Sequence, residues 1–428
     1  MEGKPYIGGE PTRPSLRGPV TAPPETTAQP AWRRPEVLLL LMAAAMPLAH
    51  VSWQALLNNF AIERAAFTGA DMGLLQSVRE IPGFIAFAVV FVLLLIREQN
   101  LAVVSLLLLG IGTAVTGYFP SLIGLCLTTL VMSLGFHYYE TVQQSLALQW
   151  IDKAKAPETL GRLIAVRSFT GLISLGLIYV AFDYFALEFH WVYLIAGGGT
   201  IAIALFAWLG FPHFPQPVEQ HKHMVLRRRY WLYYALTFLS GARRQIFIVF
   251  AGFMMVETFG YSVGEMSVLF LITGVLNMFL APRIGRLVAR WGERRALIVE
   301  YTGLVIVFVA YAFVTNGYVA AGLYVVDHVF FAMAIAIKTY FQKIAEPADM
   351  ASTAGVSFTI SHIAAVVIPV VFGLVWLVSP AAVFLSGAAI AVASLALSFN
   401  IPRHPEPGHE VLRGRWTKPA AAALPAAE

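Results

Sequence analysis

Ionisable side chains sit inside long apolar stretches of this sequence: Arg79, Glu80, His137, Glu140, Arg167, Arg243, Arg244, Asp327, His328, Lys338 and His362. A charge at bilayer depth costs roughly 2.5–3.5 kcal/mol on insertion scales and survives where it faces water or a partner. Guanidinium groups there suit an anionic or zwitterionic small solute. Carboxyl and imidazole groups suit proton exchange. Helical spacing groups these residues into stripes. His137, Glu140 and Gln144 stand at i, i+3 and i+7, and Thr237, Ser240 and Arg244 repeat that spacing. Each trio therefore shares a helix face. Asp327 and Lys338 also share a face, and His50, Gln54 and Asn58 form a looser stripe.

Each group has two readings. Arg243 and Arg244 contact solute, or they neutralise Asp327 or Glu140 in a buried pair. Asp327 beside His328 is a proton carrier or a fixed counter-ion. His137 with Glu140 relays protons or packs as a hydrogen-bonded pair. The His137-Tyr138-Tyr139 run stacks a flat solute or fills a helix interface. Arg79 and Glu80, followed by Pro82, read as a gate or structural pair towards the outer side, with a kink in the second span. Lys338 snorkels or pairs near the inner mouth. The residues expected to bind solute are Arg243, Arg244, His137, Tyr138, Gln144, Asn58 and His362. Those expected to carry protons are Asp327, His328 and Glu140.

The elements that position these residues follow from composition. Hydrophobic residues make up 58 % of the 428 residues and charged residues 12 %, with a mean hydropathy of +0.71. A soluble domain has about 25 % charged residues. Apolar runs of about 18–25 residues each suffice to cross a hydrocarbon core as a helix, and they lack the alternation of barrel strands. The sequence predicts an all-α polytopic membrane protein with twelve spans: 36–60, 72–95, 101–118, 121–149, 160–182, 191–211, 231–256, 265–281, 296–315, 318–342, 353–378 and 381–400. Phe119-Pro120, Thr315-Asn316 and Ser379-Pro380 mark tight turns. Spans three, six and twelve carry no interior charge. Span nine carries only Glu300, read as reaching the interface near its cytoplasmic end.

Arg and Lys concentrate in one alternate set of loops and in both tails, including Arg97, Lys153, Arg227–Arg229, Arg283–Arg295, Arg33 and Arg403. The positive-inside rule therefore places both termini in the cytoplasm. The net charge of +5 is spread over short loops and gives no sign of nucleic-acid binding. Residues 1–32 and 402–428 read as disordered tails, and no cleavable signal is visible. Cys126 is the sole cysteine, which excludes an internal disulfide. His213, His221 and His223 lack acidic or Cys partners, so no metal and no cofactor are expected.

The polar stretch 212–230 divides the spans into bundles at 33–211 and 231–401. An echo supports duplication: Pro157 and Pro347 are 190 positions apart, and Ser168-Phe169-Thr170 and Ser357-Phe358-Thr359 are 189 apart. Residues Gly285 to Arg295 read Gly-Arg-Leu-Val-Ala-Arg-Trp-Gly-Glu-Arg-Arg. This architecture and motif resemble the major facilitator superfamily, whose signature between spans eight and nine is Gly-x-Leu-x-Asp-Arg-x-Gly-Arg-Arg/Lys. Gly285, Leu287, Arg290, Gly292, Arg294 and Arg295 fit it. Ala289 replaces the Asp and Glu293 an Arg, and the first-half counterpart at Ile96–Asn100 lacks the signature. The Gly-Pro pair of drug/proton antiporters is absent from span five, and an Arg common in span four of such exporters has no match.

The resemblance implies that spans 1, 4, 7 and 10 line a central cavity. It also implies that Gly285, Arg286, Arg290, Gly292 and Arg294 join Arg79 and Glu80 in gating. The expected function is secondary active transport of a small solute by alternating access. Protons are the expected energy source, because no nucleotide-binding motif is present. The alternative is a non-transporting receptor or assembly factor on the same fold; an enzyme is not expected. The chain is expected in a bacterial inner membrane as a monomer, its partners being solute, protons and lipid.

Overall fold

The structure is a computed structural model that describes residues 30–151, 156–215, 226–346 and 350–412. Twelve helical spans follow one another. The first half holds α1 (Pro35–Ala65), α2 (Gly69–Phe84), α3 (Glu98–Thr116), α4 (Leu122–Trp150), α5 (Ala156–Asp183) and α6 (Phe189–Gly210). The second half begins with α7, which starts at Trp231–Ile246, passes through a π turn at Phe247–Ala251 and resumes at Gly252–Glu257. There follow α8 (Val263–Trp291) and α9 (Glu293–Phe313). Next comes α10, built as Gly317–Phe331, a 3-10 turn Ala332–Ala334 and Ile335–Ile344. Last are α11 (Met350–Val378) and α12 (Pro380–Ser398). A helix satisfies its backbone polar groups within one segment, so such apolar runs can cross lipid.

The helix starts are written in short polar residues at the end of the bundle away from the termini. Thr68 and Asp71 cap α2 reciprocally, and Ser262 and Glu265 do the same for α8. Ser121, Asn316 and Ser379 accept from the first turns of α4, α10 and α12. Each side-chain oxygen takes an N–H that the helix itself leaves unpaired.

Among the described residues, eleven helices are long and apolar enough to cross a membrane by length and composition. The exception is α2. An unbroken span over 72–95 is not what forms: the regular helix ends at Phe84, two residues past Pro82, and passes into a 3-10 turn at Ala86–Ala88 and a short turn at Val89–Val92. Proline lacks an N–H and its ring crowds the carbonyl four residues back. The α8 helix needs the opposite correction. It runs about ten residues beyond its expected end, so Gly285, Arg286 and Arg290 lie on helix rather than loop. The turn is left to Gly292, whose φ of +79° is a left-handed conformation suited to glycine.

Within the first half, α3 packs between α4 and α6, and α1 rests on α5 and α6. Within the second half, α11 and α12 pack on α7, and α12 also on α9. Across the halves, α2 meets α11 and α5 meets α8. Backbone meets backbone closely at Gly73, where a Cβ would stand 2.2 Å from the Pro369 carbonyl oxygen. Val370 N–H donates to Ser77 Oγ at 3.0 Å, and Asn59 Nδ2 donates to the Tyr261 carbonyl at 2.7 Å. These contacts close the bundle at the end away from the termini. Large apolar side chains such as Phe91, Leu95, Leu209 and Val378 are exposed on its flanks, as a lipid-facing surface requires.

The tail expected from 402 onwards is not wholly free. Tyr340 Oη donates to the Glu410 carbonyl at 2.6 Å, Leu412 N–H donates to the Asn400 carbonyl, and Val411 is buried. Trp32 likewise packs on Phe206 and Phe211. Residues 1–29 and 413–428, His221 and His223 of the central stretch, and Pro347 of the internal echo lie outside the described residues. His213 Nε2 lies 2.9 Å from Asn100 Oδ1, which ties the start of that stretch to α3.

Candidate functional site

Two adjoining cavities lie beside α7, one between the halves and one within the second half. The larger, of about 250 Å³, is lined by His50 and Gln54 of α1, Arg79 and Glu80 of α2, Ser133 and His137 of α4, Arg244 and Gln245 of α7, and Ser361 and His362 of α11. The smaller, of about 130 Å³, lies within the second half. Its polar lining is Arg243, Arg244, Asn277, Asp327 and His328, set among Phe247, Phe308 and Phe331. Arg244 and Ile248 belong to both walls.

Backbone irregularities cluster here. The π turn of α7 carries Phe247 and Ile248, and the 3-10 turn of α10 starts at the cavity residue Ala332. Broken helices are tolerated at membrane depth where they line a cavity. Pro82, two residues before the regular part of α2 ends, follows Glu80 by two positions.

The two neighbouring arginines diverge. Arg243 is 1 % exposed; its Nη2 lies 3.0 Å from Glu300 Oε1, and its guanidinium covers the Tyr301 ring at 4.9 Å. Its ion-pair partner is therefore Glu300, not Asp327 or Glu140. Glu300 is fully buried, which corrects the expectation that it reaches the interface. Its α9 helix packs on α10 and α12, and Arg243 of α7 puts a buried cation within reach of the long side chain. Arg244 is exposed, and what it faces is the chamber; its guanidinium sits 5.1 Å from the Phe331 ring.

Asp327 is buried, and its Oδ1 has no hydrogen-bond partner among the described residues. His328 Nδ1 lies 2.9 Å from the Tyr324 carbonyl one turn back. Arg79 and Glu80 form an ion pair with each other. The Ser133 hydroxyl donates to the Arg79 carbonyl, and Arg79 lies over Trp53. Their place is the chamber wall, beside His137 and His362.

Several expected site residues lie elsewhere. Glu140 pairs with Arg167 of α5 at 2.6 Å, so it is not joined to His137. Three residues along a helix is an angular offset of about 60°, enough to turn one side chain to the chamber and the other to a flank. Tyr138 packs among apolar residues and Gln144 is exposed; neither lines either of the two cavities described. Asn58 sits against Gly252 of α7 beyond the cavity walls. Arg286 and Arg290 are exposed at the far end of α8, Gly285 and Arg294 partly so. Glu293 is buried and meets Lys343 at 2.8 Å. Lys338 is exposed. Asn277, Gln245 and Ser361 were not anticipated. Their signal was a polar residue inside an apolar run, which is weak for neutral groups.

Twelve spans in two halves, with a polar chamber between them, define a polytopic membrane carrier. The sequence model of the Major Facilitator Superfamily matches residues 37–369, and the chain belongs to that family. No curated protein matched the chain in sequence. Among solved structures, a mutant of nucleoside transporter NupG superposes with a TM-score of 0.72 at 16 % identity, over 86 % of this chain and 99 % of that one. Unmutated NupG gives 0.68 at 16 % identity, over 85 % and 98 %. A bacterial homolog to the human lysosomal transporter Spinster, inward-facing and occupied, gives 0.69 at 15 % identity, over 85 % and 95 %. At such identities the likeness is one of fold, and the fold is that of secondary transporters.

Proposed function

We propose that this chain carries a small anionic or zwitterionic solute through the chamber by alternating access, coupled to protons. The observation behind this reading is Arg244, a cation turned into the space shared by both cavities while its neighbour Arg243 is spent on Glu300. A guanidinium held beside an aromatic ring and facing a chamber favours an anionic group. Asp327 shares that wall, and a carboxyl there can neutralise a solute cation or take up a proton as nearby cations rearrange.

The proposed setting is a bacterial inner membrane, with a monomer whose termini are both cytoplasmic. The closed end then faces outwards and the chamber opens inwards. The basic residues Arg286, Arg290 and Arg294 are proposed to engage the first half when the bundle tilts the other way.

The test is flux. Purified protein is first screened for thermal stabilisation across metabolite classes, because a ligand that binds the folded state raises its melting temperature. The best ligand is then followed into proteoliposomes with and without a pH gradient. Uptake that responds to the gradient and vanishes in Arg244→Ala supports the reading. Normal flux in Arg244→Ala removes the site, and flux indifferent to the gradient removes the coupling.

A further inference from the structure

Glu80, His137 and His362 come from α2, α4 and α11 and so from both halves. One carboxylate oxygen and two ring nitrogens of these residues lie within 4.8 Å of one another. His362 Nδ1 is 2.8 Å from the Phe358 carbonyl. A carbonyl only accepts, so Nδ1 carries the proton, and when the ring is neutral Nε2 presents a lone pair. That lone pair stands 3.7 Å from Glu80 Oε2, a second acceptor. The His137 ring meets the His362 ring edgewise, 5.2 Å between centroids. Acceptors that face one another repel unless a cation lies between them. Room for the cluster is made by Gly83, where a Cβ would stand 2.2 Å from His362 Cδ2 and 2.7 Å from His137 Cε1.

We propose that Glu80, His137 and His362 bind a divalent transition-metal ion across the two halves. Two imidazoles and a carboxylate suit Zn²⁺, Co²⁺ or Ni²⁺ better than Mg²⁺ or Ca²⁺. Bonds of about 2.0–2.2 Å put neighbouring ligand atoms roughly 3.4 Å apart, so small side-chain movements complete the geometry. The Phe358 carbonyl supplies the orienting hydrogen bond that a metal-binding His needs. The chamber gives access and leaves the remaining coordination positions to water or an anion. A proton could bridge His362 and Glu80 alone; the third donor, His137, is what favours a metal.

The opposing influence is charge. Glu80 Oε1 is held by Arg79, and Arg244 lines the same cavity. Both guanidinium groups repel a dication, so removing one should strengthen binding. The site goes beyond the transport reading and does not depend on it, since metal binding is measured without solute.

The experiment is a Co²⁺ titration of the full-length, tag-free protein at neutral pH, read by visible absorption. The expected result is a nitrogen-ligated spectrum that saturates at about one ion per chain. His362→Ala and His137→Gln should each weaken it about tenfold or more, while His190→Ala, a surface control, leaves it unchanged. Arg79→Gln should tighten it several-fold. A cluster that binds only protons gives no such spectrum at neutral pH. That result, or a spectrum that survives both His362→Ala and His137→Gln in protein of normal melting temperature, overturns the site.

Discussion

Arg243 and Arg244 are adjacent in sequence and opposite in fate. One turns towards α9, is sealed from solvent and is matched by a fully buried Glu300. The other turns into the chamber between the halves. Successive residues on a helix diverge by about 100°, so one position separates a packed interior from a wet one. The buried pair resists disruption because loss of one partner strands a charge in a low-dielectric interior. The chamber arginine can be lost without harm to the fold, because its charge is already exposed to the chamber. Burial thus separates a structural charge from a working one, which residue type alone does not.

The largest test of that contrast is Arg243→Ala. It should destabilise the protein by about 3–5 kcal/mol, the usual cost of breaking a buried pair. Thermal unfolding in detergent measures it. The double variant Arg243→Met with Glu300→Leu should recover most of the loss; if it unfolds as readily as the single variant, the pair is not the source of the effect. Arg244→Ala should reverse the pattern, with a melting temperature near that of the parent and flux down about a hundredfold, as expected when a charge-assisted contact is removed.

Asp327→Asn sharpens the comparison within the same cavity. Solute exchange without a gradient should persist, while uphill uptake driven by pH should fall to background; retained uphill uptake would assign the coupling elsewhere. The smallest effect is expected for Lys343→Ala. That lysine is half exposed although its partner Glu293 is buried, so the loss should be about 1 kcal/mol or less. A loss matching that of Arg243→Ala would show that exposure does not separate the two kinds of pair.

Much of the architecture is legible in the sequence. The apolar runs gave the helices and their number, because lipid leaves a single segment few other ways to satisfy its backbone. Breakers at Phe119-Pro120, Thr315-Asn316 and Ser379-Pro380 marked turns, and Pro82 marked the break in α2. Of the span-seven stripe Arg244 lines the chamber, while Thr237 and Ser240 line neither of the two cavities. Of the span-four stripe His137 lines the chamber, while Glu140 pairs with Arg167 and Gln144 is exposed.

What composition and periodicity determined was class, topology and the short list of charged residues at membrane depth. They could not decide partners. Glu300 seemed a surface residue because counting along one helix says nothing about its neighbours. Glu80, His137 and His362 gave no metal pattern because their spacing exists only across three helices and two halves. Pairing and convergence belong to how helices pack, and helix packing is set by side-chain fit between segments remote in the chain.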